Sequence, residues 1–541
     1  MKVAVVGSGV AGLAATWALN EYSDHEVHLY EAEKRPGGHA NTVPFSYESR
    51  DGSRQTVKWF CNAFNFFSRT NANSLKKIVL NPSTYPNFLR FLKLHPSVEI
   101  LPTEMTFSVT RDSGRFEWAG NNLATLFCQP WRVLDRNMWR MIYDILRFNA
   151  SARRLVSKWS KQNTEAWEDY SIGEYLEWGS YSDAFRDNYL IPMTAAIWST
   201  PPDKCALDFP ARTLIQFMHN HHLLQLTGKP SWLTFKDGSH AYVNAILSKL
   251  PPSQLHLLAA VKSISTGSRI TLTTEDGREE SYDRVVMACH SDAVLSILKA
   301  GGDIQPEEEE ILGMFKWNKN EAVLHSDPKL MPRSNIAWSC WNYLTYSTVD
   351  RHGERRANVD QNMYARSLLG TLLLTKIFAD GMNALQHISK KNVGPVLVTL
   401  NPLFEPDPTT VRGRWKYDHP ILDGDAIRAQ NMMSSIQGTR GITYAGAYLN
   451  FGFHEDGFTS GLVAVRDLGL CLPFELEFVD GSVWDISVKK RRPKDWTVEW
   501  AAWFFDFLQS FGIRHVVGRL LGLVLGYWLW LLGKFGIEFE F

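Results

Sequence analysis

The chain lacks an excess of charge of either sign: Lys and Arg together number 57, and so do Asp and Glu. That balance offers no global field for a polyanion, so nucleic acid is not an expected partner. Cysteine is scarce. The six (Cys61, Cys128, Cys205, Cys289, Cys340 and Cys471) form no C-x-x-C pair and no disulfide-like spacing. This argues against a disulfide scaffold or a structural zinc site and for a reducing, intracellular compartment. A cleaved secretory leader is not expected, because Lys2-Val-Ala-Val-Val6 already reads as a buried strand. The apolar runs Leu368–Leu374 and Leu520–Gly533 both fall short of the roughly 20 residues that span a bilayer. Aromatic residues are plentiful at 13%, which suits a large apolar pocket, and 541 residues are ample for two domains.

The first 42 residues carry the clearest signal. The apolar run Lys2–Val6 reads as a parallel strand and leads into Gly7-Ser-Gly9-Val10-Ala11-Gly12, then an alanine-rich helix to about Asn20. A second apolar segment, Glu26–Tyr30, ends on Glu31. Gly7 serves the tight turn, Gly9 lets backbone approach a pyrophosphate, and Gly12 lets the helix pack close to the sheet. The helix N-terminus at Val10 and Ala11 faces the negative charge. Glu31 stands at the offset of about 20 residues expected for an acid on a ribose hydroxyl. Alone, such a glycine pattern also fits a chance turn; strand, helix and acid in register argue for a dinucleotide. The pattern does not distinguish NAD from FAD.

The following residues, Glu31-Ala-Glu-Lys-Arg35-Pro-Gly37-Gly38-His39-Ala-Asn41-Thr42, resemble the second flavin signature of the flavin-containing amine oxidase superfamily. That resemblance implies noncovalent FAD, with Glu31 on the adenosine ribose and Arg35, Gly37, Gly38 and His39 along the pyrophosphate and flavin. Many members carry a second arginine where this chain has His39. The resemblance also implies that the backbone of Val261 meets the adenine. Ile442 to Gly461 resembles the third flavin element, and Gly446, His454, Glu455, Asp456 and Gly457 are its candidate cofactor residues. There a helix N-terminus points at the flavin ring and stabilises its reduced, anionic form. No cysteine lies between 341 and 470 to form a cysteinyl-flavin bond.

Segments such as Thr84–Asn87, Ile191–Thr200 and Trp232–Tyr242 resemble one branch of that superfamily. The branch is related to the amine-oxidase-like module of plant cyclopropane fatty-acid synthases and to a polyunsaturated fatty-acid isomerase. Ile191–Thr200 is expected to line a substrate cavity. Two blocks interrupt the likeness, 58–77 and 362–380, and the first replaces a flavin-proximal Asp-Thr-Gly-Phe. They read as atypical insertions, with a retained intron as the sharper alternative. The expected fold is α/β, an FAD-binding Rossmann-like (GR2-type) domain interleaved with an α+β substrate domain. Residues 1–57, 232–300 and 421–470 belong to the first, and 78–231 and 301–420 to the second.

Two histidine-bearing stretches and one acidic stretch need weighing. His219, His221 and His222 lie too close in sequence for more than two to share a helical face, and no third ligand is evident, so no metal is expected. His290 ends a buried strand, where it either transfers protons or is a satisfied loop residue. The acids after Pro306 read as a solvated helix start. No catalytic acid or base stands out.

The tail, 484–541, differs from the rest. Lys489-Lys-Arg-Arg492 and Lys494 precede an aromatic stretch, Trp496–Phe511, and the uncharged run Leu520–Gly533. A helical membrane-associating tail is expected, contacting an anionic cytosolic leaflet through 489–533. The alternative is a helix packed on the enzyme. Taken together with the resemblance, the expected function is hydride transfer between a substrate C–H bond and flavin N5. An apolar or lipid substrate is favoured, a fatty-acyl chain undergoing desaturation or double-bond isomerisation. An amine oxidase releasing hydrogen peroxide and a non-catalytic protein with a disrupted flavin site are the alternatives.

Overall fold

A computed structural model describes residues 1–40, 45–48, 54–57, 79–159, 170–198, 207–225, 231–349, 355–357, 377–385, 393–479 and 496–510, with Ser482 and without Asp237 and Leu403. The block 58–77, most of 362–380, the basic cluster and everything after Ser510 lie outside these residues.

The organising layer is a five-stranded, all-parallel sheet. Its strands are β1 (Lys2–Val6), β2 (Glu26–Tyr30), β3 (Leu255–His256), β4 (Arg284–Met287) and β5 (Ile442–Tyr444), in spatial order β3-β2-β1-β4-β5. Four consecutive positions in β1 and in β2 are buried, as continuous apolar runs require when a sheet is covered on both faces. Helix α1 (Val10–Tyr22) crosses between β1 and β2, and helix α2 (His454–Arg466) packs directly on it. The contact is close because its residues are small. A methyl on Gly461 would sit 2.1 Å from the Ala11 carbonyl oxygen, and one on Gly457 would sit 2.5 Å from Val10 Cγ1.

The second layer is a seven-stranded sheet ordered Gly413–Ile421, Lys316–His325, Leu397–Leu400, Ile377–Gly381, Trp341–Thr345, Phe107–Arg111, Phe116–Ala119. Only the Trp341–Thr345 and Phe107–Arg111 pairing is parallel. Ile377–Asp380 fall within the block 362–380 read as an atypical insertion. They pair on both sides, with Trp341–Leu344 and with Val398–Leu400, inside the sheet. Helices Arg136–Trp159, Ile172–Trp178, Ile191–Trp198 and Ala211–Asn220 cover this half.

Two expectations shift. Residues 79–98, read as part of the substrate domain, pack with the dinucleotide half: Phe88, Phe91 and Leu92 share a core with Trp17 and Phe458. The acids of helix Pro306–Gly313 are not all solvated. Glu308 is buried because its carboxylate accepts from the Gln305 amide at 3.0 Å, the Tyr444 hydroxyl at 2.9 Å and Arg440.

Candidate functional site

The glycine turn leaves β1 through Gly7, whose φ of +104° only glycine adopts readily. Its N–H donates to the Tyr30 carbonyl at 2.8 Å, and an added methyl would lie 2.8 Å from the Ala288 carbonyl oxygen. Gly12 is tighter still, with a methyl placed 1.8 Å from the Gly7 carbonyl oxygen. Gly9 differs from both. A methyl there meets nothing within 4 Å, so the residue opens on space. Beside that space, α1 begins with no side-chain cap and no acid in its first turn. The Val10 and Ala11 amides are thus first-turn donors with no intrahelical acceptor. An open cradle at a glycine beneath uncapped helix donors fits a dinucleotide pyrophosphate.

Ser8, between the glycines, ties the first two flavin signatures together. Its N–H donates to Glu31 Oε2 at 3.0 Å, and its hydroxyl bonds the same oxygen. The Gly37 N–H in turn donates to Ser8 Oγ at 3.0 Å. Among the described residues Glu31 Oε1 accepts the Glu33 amide at 2.9 Å, which leaves acceptor capacity for a ribose hydroxyl. Burial pushes the Glu31 carboxyl up from its ordinary value, against the bonds from Ser8. Arg35 braces the turn that carries its own motif. Its guanidinium donates to the carbonyls of Pro36 at 2.9 Å, Gly38 at 2.5 Å and Ala40 at 3.2 Å, so it shapes the turn from within. Gly38, at φ +51°, sets that turn against Gly9. His39 makes an edge contact with Tyr417 of the seven-stranded sheet at 5.5 Å. Val261, half-buried, follows a segment held beside Glu31 by the Ala259 N–H to Glu31 carbonyl bond of 2.9 Å.

The third element splits into backbone and side chain. The Gly446 N–H donates to Ser460 Oγ at 2.9 Å, and a methyl on Gly446 would collide with the Tyr448 ring at 2.3 Å. His454 Nε2 lies 3.0 Å from the Tyr242 hydroxyl. Glu455 and Asp456 were expected at the cofactor, but their carboxylates serve helix ends. Glu455 accepts the amides of Asn87 and Phe88, both at 2.9 Å, at the start of helix Pro86–Leu94, and the Thr459 hydroxyl at 3.0 Å. Asp456 accepts the Phe453 amide and Asn450 Nδ2, both at 2.7 Å. Burial pushes both carboxyls up to about 7. Gly457 has no room beside Val10, so the start of α2 is held against the start of α1.

From there an aromatic wall leads into the other half. Phe453, at the N-terminus of α2, stacks on Phe217 at 5.1 Å, and Phe217 packs on Trp198 at 4.6 Å and on His221 at 3.9 Å. His221 also lines a cavity of about 480 Å³. Ile142, Ile145 and Leu146 form one side of it, and Met193 and Ile197 another. Trp118, Trp232 and Trp341 add three indoles to the apolar lining. A single π-helical turn, Arg186–Leu190, precedes the Met193 helix, and its Asn188 carbonyl accepts the Trp118 indole N–H at 3.0 Å. Among the described residues lining the cavity, none is Asp, Glu, Lys or Arg; the polar ones include Asn149, His221 and Gln225.

Sequence reasoning weighed His221 only as a metal ligand. Its Nδ1 lies 3.0 Å from the Phe217 carbonyl and therefore carries the proton, which leaves Nε2 the lone pair. Burial lowers its pKa to about 4, so the ring is neutral at neutral pH. His222 turns instead to Ser83 Oγ at 3.0 Å, and among the described residues no three His, Cys, Asp or Glu converge as a metal site. His290 stacks on Trp317 at 3.7 Å; burial holds its pKa well below the usual value, and it does not line the cavity.

The family model for flavin-containing amine oxidoreductases matches residues 10–310, more than half of the chain. Solved structures of similar fold include the CLA-producing fatty acid isomerase from P. acnes, at 11% identity and TM-score 0.53, covering 86% of this chain and 98% of that one. Cyclohexylamine oxidase from Brevibacterium oxydans IH-35A aligns at 13% identity and TM-score 0.53, covering 86% and 99%. Reduced UDP-galactopyranose mutase aligns at 16% identity and TM-score 0.50, covering 87% and 94%. At these identities the likeness is one of fold. No curated protein matches the sequence.

Proposed function

Because the chain belongs to the flavin-containing amine oxidoreductase family, and so is an FAD-dependent oxidoreductase, we propose that it acts on an uncharged, apolar chain of the fatty-acyl type. One observation carries this reading: the described lining of the 480 Å³ cavity has no carboxylate to hold a cationic amine and no other charge. Burying an unpaired ammonium there costs several kcal/mol, whereas an alkyl chain gains about 0.8 kcal/mol per buried methylene. FAD bound at the glycine turns supplies a two-electron acceptor for a hydride from an activated C–H bond.

The chain's own residues do the rest. The Val10 and Ala11 amides receive the pyrophosphate, and Glu31 Oε1 receives the ribose hydroxyl. Trp118, Trp232 and Trp341 lie along the substrate and exclude water. His221 Nε2, neutral and fixed by its Phe217 bond, is an atom on the cavity wall able to accept a proton. The reaction is desaturation or double-bond isomerisation; the name of the P. acnes neighbour supports the second. Such substrates reside in bilayers, and the aromatic helix Trp496–Ser510 with the preceding basic cluster supports work at the cytosolic face of a membrane.

The test is an anaerobic titration of the flavin-loaded enzyme. Polyunsaturated fatty acids are expected to perturb or bleach the flavin absorbance while primary amines leave it unchanged. Bleaching by amines, with hydrogen peroxide formed on readmission of air, would overturn the proposal.

A further inference from the structure

Among the described residues, the helix Trp496–Ser510 is docked by one face. Val498 and Ala502 are buried, the Phe505 ring meets Tyr143 edge-on at 5.5 Å, and Asp506 pairs with Arg154 at 2.6 Å. The other face is aromatic. Trp500, Trp503 and Phe504 are 64%, 55% and 50% exposed, and their spacing of three and four residues sets them in one stripe. A globular surface seldom gathers large apolar rings in this way. Tryptophan, with an apolar body and one N–H, is the residue suited to the boundary between lipid headgroups and acyl chains.

The helix that Trp496–Ser510 docks against, Arg136–Trp159, also exposes an aromatic ring and reaches the cavity. Trp139 lies one turn from Tyr143 on the same face of helix Arg136–Trp159, is 48% exposed, and contacts Phe127 at 5.5 Å. Next to Phe127, Leu126 lines the cavity, as does Leu123, which is 75% exposed. That same helix supplies Ile142, Ile145 and Leu146 to the cavity wall. The chemistry of the partner follows from charge. Lys489-Lys-Arg-Arg492 and Lys494 stand immediately before the aromatic helix, and a basic cluster beside interfacial aromatics complements an anionic lipid surface.

We propose that the face formed by Trp500, Trp503 and Phe504 seats on an anionic lipid bilayer, and that this contact brings the Leu123 rim of the cavity to the membrane, where an acyl chain enters. The second half rests on the apolar-substrate reading; the first does not.

The full chain is to be sedimented with vesicles of phosphatidylcholine alone and of equal parts phosphatidylcholine and phosphatidylserine. Binding to the mixed vesicles is expected, weakening with salt. In the W500S/W503S/F504S variant it should fall roughly tenfold or more, with melting temperature and flavin spectrum unchanged. Should that variant misfold, vesicles of brominated phosphatidylcholine mixed with phosphatidylserine serve instead: they are expected to quench the wild-type tryptophan fluorescence, and less so in W500F/W503F. Absence of vesicle binding, or equal binding by the serine variant, overturns the inference. So does a wild-type dimer that the variant splits without any vesicle binding, which would make the face a self-interface. Binding that appears only after removal of 511–541 also overturns it, since the chain's own tail would then be the occupant. If vesicles fail to bind while fatty acids still perturb the flavin, the docking inference falls and the cavity reading stands.

Discussion

The glycine turns and the cavity wall are packed in opposite ways. Around Gly7, Gly12, Gly446, Gly457 and Gly461 backbone meets its neighbours so closely that a single methyl has no space, while the aromatic and aliphatic wall encloses about 480 Å³ unfilled. In the first region Ser8, Glu31 Oε2, Gly37 and Gly446 bond named partners, while the Val10 and Ala11 amides and Glu31 Oε1 stay open to a ligand. The second is held open by large rings whose packing is supported from behind, as Trp118 is by the Asn188 carbonyl. A cofactor common to many enzymes needs one invariant cradle, whereas a substrate chain needs volume and an uncharged lining. The division of labour follows from the packing.

The harshest way to break the contrast is Gly12→Val. With the Gly7 carbonyl oxygen 1.8 Å from the new Cβ, overpacking should cost more than the usual ~1–3 kcal/mol. The expected outcome is insoluble or flavin-free protein, read by yield and absorbance. Gly9→Ala sharpens it. Its methyl meets no protein atom, so stability should stay within about 0.5 kcal/mol while flavin occupancy falls at least roughly tenfold. Calorimetry and absorbance measure the two separately.

On the cavity side, Asn149→Asp adds a charge to the uncharged lining. Fatty-acid binding should weaken by about one to two orders of magnitude, a cost of ~1–3 kcal/mol, with flavin retained. Flavin absorbance during fatty-acid titration reports it.

A further expected effect is on pH dependence. Glu455 and Asp456 have folded pKa values raised to about 7 by burial, above their unfolded values. Groups raised in this way bind more protons folded than unfolded, so their contribution is fully present below about pH 4 and is lost as pH rises through about 7. Thermal melts should show a decline between about pH 5 and pH 7, and E455Q should flatten it. An unchanged slope in that variant would show that Glu455 does not titrate in this window.

What could be read in the chain beforehand divides along the same line. Strand, glycine turn, helix and Glu31 are contiguous over 31 residues, so each local preference agrees with the fold and the unit was legible. Ser8 was overlooked because its two partners, Glu31 and Gly37, come together only in three dimensions. Nothing local shows that the amides of Asn87 and Phe88 reach the Glu455 carboxylate from far along the chain. The cavity was foreseen only at Ile191–Thr200. Its wall draws on Met105 through Trp341, and no periodicity links those positions. His221 was weighed by spacing to its neighbouring histidines, when its position is decided by Phe217 and Phe453. The strand Ile377–Gly381 was hidden inside an atypical block because its pairing partners lie on either side of that block.

The most direct test of the account is flavin content, measured by visible absorbance of wild type and Gly9→Ala before and after denaturation and filtration. The account predicts a flavin spectrum in the wild type that passes into the filtrate, and a folded, nearly colourless variant. A folded wild type without flavin, flavin that stays with the denatured protein, or equal flavin in both proteins would contradict it.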